Sequence, residues 1–101
     1  DGPAFLNILA PCHRGWRYPM EKTVEIARLA VQTCFWPLYE VEDGTWKLNY
    51  KAPKKKPVVE FLKMQGRFSH LFKGDNQKVL EQIQEQLDKE WEKLLKRCGE
   101  A

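Results

Sequence analysis

The sequence predicts an α+β chain: one buried strand, a helix, a β-hairpin, a short helix and a long C-terminal helix, completing a larger α/β domain. Three observations carry this. An apolar run from Ala4 to Ala10 is broken only by Asn7 and stopped by Pro11. Asp43-Gly44 sits between two alternating segments. Leu80, Leu87 and Leu94 recur at seven-residue spacing in a stretch free of proline and glycine.

The opening run, with Phe5, Leu6, Ile8 and Leu9, suits a strand buried on both faces, as in a parallel sheet. Pro11 ends it, because proline has no N–H to give a central ladder. Cys12 follows on a tight loop in which Gly15 lets the backbone turn. The C-terminal edge of an open α/β sheet is where ligands and cofactors collect. A lone parallel-type strand cannot pair with itself. The chain is therefore expected to be a C-terminal fragment, beginning just before the last strand of a larger domain.

Tyr18-Pro19 precedes a predicted helix over about 20–34, with Glu21 and Glu25 at the positive end of its dipole. Val24, Ala27, Val31 and Cys34 share one side, and Ile26, Leu29, Ala30 and Thr33 widen the apolar stripe. Cys34 reads as a buried small hydrophobe.

The Asp43-Gly44 dipeptide predicts a two-residue hairpin turn over 38–49. It sets Val41 opposite Trp46 and Tyr39 opposite Leu48 on one side. Glu40 then meets Lys47 on the other, an opposite-charge pair. A ribbon this small needs a surface to pack on. Residues 51–57, with four lysines and two prolines, form a linker. Its basic run reads as a solvated connector, with contact to an anion as the alternative.

Pro57 suits the first position of a short helix over 58–65, with Gly66 as its stop. Phe68, Leu71 and Phe72 are expected to pack inward from one irregular turn. His70 has no ligand partner at suitable spacing and reads as structural. Asp75 or Asn76 caps the last helix, which ends near Arg97 before Gly99. Ile83, Trp91 and Cys98 join the leucines on one face. A helix of roughly 33 Å is longer than this chain can cover. It is expected to dock on another part of the parent or on another subunit.

Hydrophobic residues make up 43% and charged residues 31%, ordinary for a globular chain. No apolar run approaches a membrane span, and no signal peptide is evident. The net charge of +3 is too small to argue for nucleic acid. Three widely spaced cysteines do not form a disulfide framework, which favours a reducing, cytoplasmic setting. The residues alone assemble no nucleophile–base–orienter set, no Gly-rich phosphate loop and no CxxC. Cys12 has three readings: an inert turn residue, a redox thiol beside His13 and Arg14, or one ligand of a shared metal centre. Neighbouring positive charge favours the thiolate that binds metal.

The order of several blocks adds to this. Leu9-Ala-Pro-Cys-His-Arg-Gly-Trp16 comes first, followed by Val24-Glu-Ile-Ala-Arg-Leu-Ala-Val31. Phe35-Trp-Pro-Leu-Tyr-Glu40 and Lys56-Pro-Val-Val-Glu-Phe-Leu-Lys-Met-Gln-Gly-Arg-Phe68 come after. Together they resemble the C-terminal end of the β subunit of pyruvate:ferredoxin oxidoreductase (pyruvate synthase) and its 2-oxoacid relatives. The resemblance runs from about residue 4 to the final helix. It implies an enzyme that oxidatively decarboxylates pyruvate or a related 2-oxoacid with coenzyme A. Electrons would pass through a 4Fe-4S cluster to ferredoxin.

The resemblance also implies thiamine diphosphate and magnesium, held by segments upstream of this chain. Three cluster cysteines would lie upstream as well, and Cys12 matches the fourth. No catalytic or diphosphate-binding residue maps onto this chain, which alone is expected to be inactive. Members commonly carry Pro-Thr where this chain has His13-Arg14, which alters the charge beside the cysteine. Residues 1–18 would be the last strand and Cys loop of the thiamine-diphosphate domain. Residues 19–101 would be a helix–hairpin–helix extension holding subunits together. The reading from another class is a non-catalytic interaction module that uses the hairpin and the long amphipathic helix.

Overall fold

The computed structural model describes residues 2–100. In chain order the elements are a one-turn helix α1 (His13–Trp16), a 3-10 turn (Met20–Lys22) and α2 (Thr23–Gln32). The hairpin β1 (Leu38–Glu42) and β2 (Thr45–Tyr50) follows, then α3 (Val58–Leu62), a 3-10 segment (Gly66–Phe72) and α4 (Gln77–Arg97). Among the described residues no helix is long and apolar enough to cross a membrane.

The α+β class and the order of elements after Tyr18 are as predicted, while α1 stands where only a tight loop was expected. The expected strand over 4–10 is a second exception. It forms no ladder, since β1 and β2 pair only with each other. Phe5, Leu6 and Ile8 stand 86%, 84% and 79% exposed. A two-face-buried strand needs neighbours on both edges and both faces, and the described residues offer none. Only Leu9, half-buried, reaches the core.

One core unites the elements. Ile26, Leu29 and Ala30 of α2 meet Val58, Phe61 and Leu62 of α3, with Trp16, Tyr18 and Leu80 closing the sides. The covered face of α2 is thus the Ile26–Leu29–Ala30–Thr33 side. Val24, expected inward, is 64% exposed. This helix stops at Gln32, short of Cys34, whose backbone turns left-handed at φ 65°.

The hairpin has the predicted register: Glu40 opposite Lys47, Val41 opposite Trp46 and Tyr39 opposite Leu48. Asp43 and Gly44 both have positive φ, 51° and 78°, as a type I′ turn requires. An irregularity between Leu38 and Tyr39 was not foreseen. The Tyr39 and Trp46 rings stack at 5.4 Å and 9°, so both lie on one face. That face leans on α4, where the Arg97 guanidinium lies 4.9 Å from the Trp46 ring centre.

The linker is tied down at three points. The Lys56 N–H donates to the Gln32 carbonyl at 3.0 Å. Lys55 pairs with Asp88. The Val58 N–H, an orphan donor at the start of α3, donates to Gln84 Oε1 at 2.7 Å. Pro57 sits one residue before α3 rather than in its first turn. Asn76 precedes α4 as expected, but its amide donates to the carbonyls of His70 and Lys73 at 2.6 and 2.9 Å instead of capping α4. Phe72, expected inward, is about 41% exposed, while Phe68 and Leu71 pack on the core. Gly99 ends α4 at φ 72°, with the Glu100 N–H returning to the Leu95 carbonyl at 2.8 Å.

Candidate functional site

Cys12 occupies the residue before α1, in an extended conformation (φ −124°, ψ 107°), and its side chain is exposed. Pro11 cannot continue a ladder, and Cys12 starts a helical turn at once. The Trp16 N–H donates to the Cys12 carbonyl at 2.9 Å, and the Gly15 N–H points at Cys12 Sγ at 3.5 Å. The sulfur therefore accepts a backbone hydrogen bond, as an N-cap oxygen would. Gly15 lies within the helical turn and is not left-handed. The left-handed position is taken by Arg17, at φ 59° and ψ 72°.

The loop around Cys12 carries His13, Arg14 and Arg17, with no acidic residue from Gly2 to Met20. It is held from behind. Trp16 meets Phe61 edge-on at 6.0 Å and Tyr18 at 6.2 Å. The Arg67 guanidinium lies 4.4 Å from the Trp16 ring centre. Arg67 Nε donates to Gln65 Oε1 at 2.6 Å, and Gln65 Nε2 donates to the Phe61 carbonyl at 3.0 Å. Gln65 is 1% exposed. Burial pulls the Arg67 guanidinium below its ordinary value, and it remains charged in neutral solution.

Gly66 closes the contact. Its N–H donates to the Arg17 carbonyl at 2.6 Å. A Cβ there would stand 2.8 Å from Arg17 Cβ and 3.0 Å from its carbonyl oxygen. Gly66 is therefore needed for close approach and does not simply stop a helix. Sequence reasoning missed Gln65, Gly66 and Arg67 as supports of the Cys12 turn. The Gln-Gly-Arg block was visible, but nothing local says that it meets Arg17.

The other cysteines are elsewhere. Cys34 is buried, and that burial pushes its thiol up; Lys55 opposes the shift and Asp88 adds to it. Cys98 is half-buried near the end of α4. Among the described residues no three His, Cys, Asp or Glu side chains gather to hold a metal ion. Cys12 can serve as one ligand of a centre completed by other groups. An exposed thiol receiving an N–H bond, with cations and no carboxylate along its loop, fits that role chemically. A separate apolar groove of about 690 Å³ runs between the hairpin and α4, with Phe35, Trp46, Ile83 and Trp91 in its walls.

By sequence this chain is related to oxidoreductase subunits. It is 52% identical over 97 residues to the ketoisovalerate oxidoreductase subunit VorB of Pyrococcus abyssi, covering 94% of this chain and 30% of that protein. It is 50% identical over 96 residues to the pyruvate synthase subunit PorB of Thermotoga maritima, again 94% of this chain and 30% of that protein. The PorB of Methanocaldococcus jannaschii is 51% identical over 85 residues, 84% of this chain and 28% of its own. No family model matches the chain. The chain belongs to the β-subunit family of 2-oxoacid:ferredoxin oxidoreductases. It spans about 30% of the length of the curated relatives it matches.

Proposed function

We propose that this chain forms part of an enzyme that oxidatively decarboxylates pyruvate or a related 2-oxoacid with coenzyme A, its electrons passing to ferredoxin. Cys12 supplies one of the four thiolates of a 4Fe-4S cluster. Thiamine diphosphate and magnesium are bound by other segments of the subunit. The single observation that carries this reading is the identity of about half the residues over nearly the whole chain with PorB and VorB.

The local geometry supports the role of Cys12. Its thiol is exposed, and the Gly15 N–H is directed at the sulfur. A cluster held by cysteine thiolates supplies one-electron transfer, with a potential set by net charge and by hydrogen bonds to the sulfurs. In this chain Gly15 provides such a bond, and Arg14 and Arg17 bring positive charge to the loop. Residues 1–18 then end the thiamine-diphosphate domain, and residues 19–101 form an arm that meets other subunits. The half-exposed Tyr39, Val41 and Tyr50 on the hairpin suit that contact.

The test uses the complete oxidoreductase with Cys12→Ala, Cys34→Ala and Cys98→Ala. Cys12→Ala should remove or alter one cluster by iron content and low-temperature EPR, and ferredoxin reduction should collapse. Thiamine diphosphate content should stay at the wild-type level. The other two variants should keep full iron. Full iron and normal ferredoxin reduction in Cys12→Ala would refute the ligand assignment.

A further inference from the structure

The contacts behind the Cys12 turn are more specific than packing requires. Arg17 is a non-glycine residue held left-handed at φ 59°. Such a conformation persists only where its surroundings over-determine it. Here the contact with Gly66 contributes, and it leaves no room for a side chain on residue 66. The Arg17 carbonyl accepts the Gly66 N–H at 2.6 Å. Its Cβ lies where a side chain on residue 66 would begin, 2.8 Å away. That approach is between backbone-fixed atoms, so no side-chain rotation can relieve it.

Arg67 holds the next residue back along the loop. Its guanidinium covers the Trp16 ring at 4.4 Å and the Phe68 ring at 4.7 Å. Gln65 fixes the angle of that plane by accepting from Nε, and Gln65 is itself locked to the Phe61 carbonyl. Among the described residues no carboxylate forms an ion pair with Arg67. Its charge is spent on aromatic faces, and a planar, stacked cation is a use that lysine does not reproduce.

We propose that Gly66 and Arg67 are positioning residues that hold Cys12 in its metal-binding geometry, acting through Arg17 and Trp16. This rests on the ligand assignment for Cys12 made above. The residues touch no cofactor atom themselves. They lock the turn whose carbonyl and N–H groups orient the thiol, as outer supports orient a ligand in other metal sites. The arm of the chain thereby sets the cluster's environment as well as meeting other subunits.

The experiment compares Gly66→Ala, Arg67→Met and Arg67→Lys in the complete oxidoreductase. Arg97→Met is the control, because Arg97 makes the same kind of ring contact at the far end of the arm. Hydrogen exchange is read at the Trp16 and Tyr18 amides, both bonded within the loop. The cluster is read by its EPR line positions and midpoint potential. Gly66→Ala, by crowding Arg17, and Arg67→Met, by losing a partly buried cation–π contact, should each speed exchange at those amides about threefold or more. They should also shift the EPR lines and the potential, and Arg67→Lys should restore these only in part. Arg97→Met should leave all three readouts at wild-type values.

Unchanged lines and exchange in Gly66→Ala and Arg67→Met would overturn the proposal, as would equal effects from Arg97→Met. If Gly66→Ala does not fold, Arg67→Met decides alone. Failure of the ligand assignment looks different. Cys12→Ala then keeps full iron, and Arg67→Met speeds exchange in the loop without moving the cluster signal.

Discussion

Replacing Gly44 separates a backbone effect from a steric one. Gly44 lies at φ 78°, and a Cβ built there would meet nothing within 4 Å. Gly44→Ala therefore introduces no clash, and its whole cost is that of holding an L-residue left-handed, about 1–2 kcal/mol. Gly44→Val should cost more, since a β-branched side chain resists positive φ further. The hairpin has little to offset this. Its Tyr39–Trp46 stack is worth about 0.5–1.5 kcal/mol and its Glu40–Lys47 pair less than about 1. Losing the turn should therefore open the ribbon locally without unfolding the core around Phe61. Asp43→Asn is the control, because asparagine tolerates the φ of 51° that Asp43 already adopts. The assay is amide hydrogen exchange over 45–50. Gly44→Ala should speed exchange there about tenfold, and Asp43→Asn less than about twofold. Wild-type exchange in Gly44→Ala, or equal damage from Asp43→Asn, would refute the turn assignment.

The remaining predictions concern the linker and the end of α2. Burial would raise Asp88, but hydrogen bonds from Lys55 and Gln84 and the Lys55 charge outweigh it, so its carboxyl lies below the ordinary value. A depressed folded value gives stability that is present above the unfolded pKa, about 3.9, and lost as pH falls through the lower folded value. The pair is half solvent-exposed on the Asp88 side, so Asp88→Asn should cost only about 0.5 kcal/mol at neutral pH. In denaturant titrations that difference should shrink as pH falls below the unfolded value of about 3.9, and a difference that grows in acid would contradict it. Cys34 is buried yet left-handed at φ 65°. Cys34→Ala should cost about 1 kcal/mol of packing, whereas Cys34→Gly regains part of its larger packing loss by relieving the backbone. Thermal melts should rank glycine at or above alanine at this position; the reverse order would mean that packing alone decides there.

What was legible in the sequence was local. Asp43-Gly44 determined a turn type, and the turn determined which residues face each other, so Glu40 could be set opposite Lys47, and Tyr39 and Trp46 put on one face, without coordinates. The spacing of Leu80, Ile83, Leu87 and Leu94 located the inward face of α4 for the same reason. What was not legible depended on contacts distant in sequence. Gly66 looked like a helix stop because glycine usually is one there; its actual role needs Arg17, 49 positions away. Gln65 is polar and yet fully buried, and only its two partners explain that. Val24 fitted a helical stripe, but where α3 packs decided which side of α2 was covered. For Cys12, its place on a turn and the adjacent charge could be read from neighbouring residues. The N–H directed at its sulfur depends on Cys12 being the residue that starts α1, which no local pattern specified.

The two sides of Cys12 differ in a way that bears on how its position is held. On the C-terminal side the turn is tied to the core through the α1 hydrogen bonds, the Trp16–Phe61 contact and the Gly66–Arg17 bond. On the N-terminal side Phe5, Leu6 and Ile8 leave their side chains in water. Each could yield about 1.5–3 kcal/mol if covered, so this segment holds a large store of unused burial directly beside the thiol. Asn7, Ile8, Leu9 and Pro11 already share a cleft of about 300 Å³ with Ala27 and Val31 of α2. A sheet edge reaching 4–10 would satisfy its backbone and its apolar side chains together. The geometry of the Cys12 turn does not wait for that step, because its hydrogen bonds and ring contacts are complete without any contact from residues 4–8. The chain thus holds a formed cysteine turn, and covering residues 4–8 would add burial energy beside a thiol already in place.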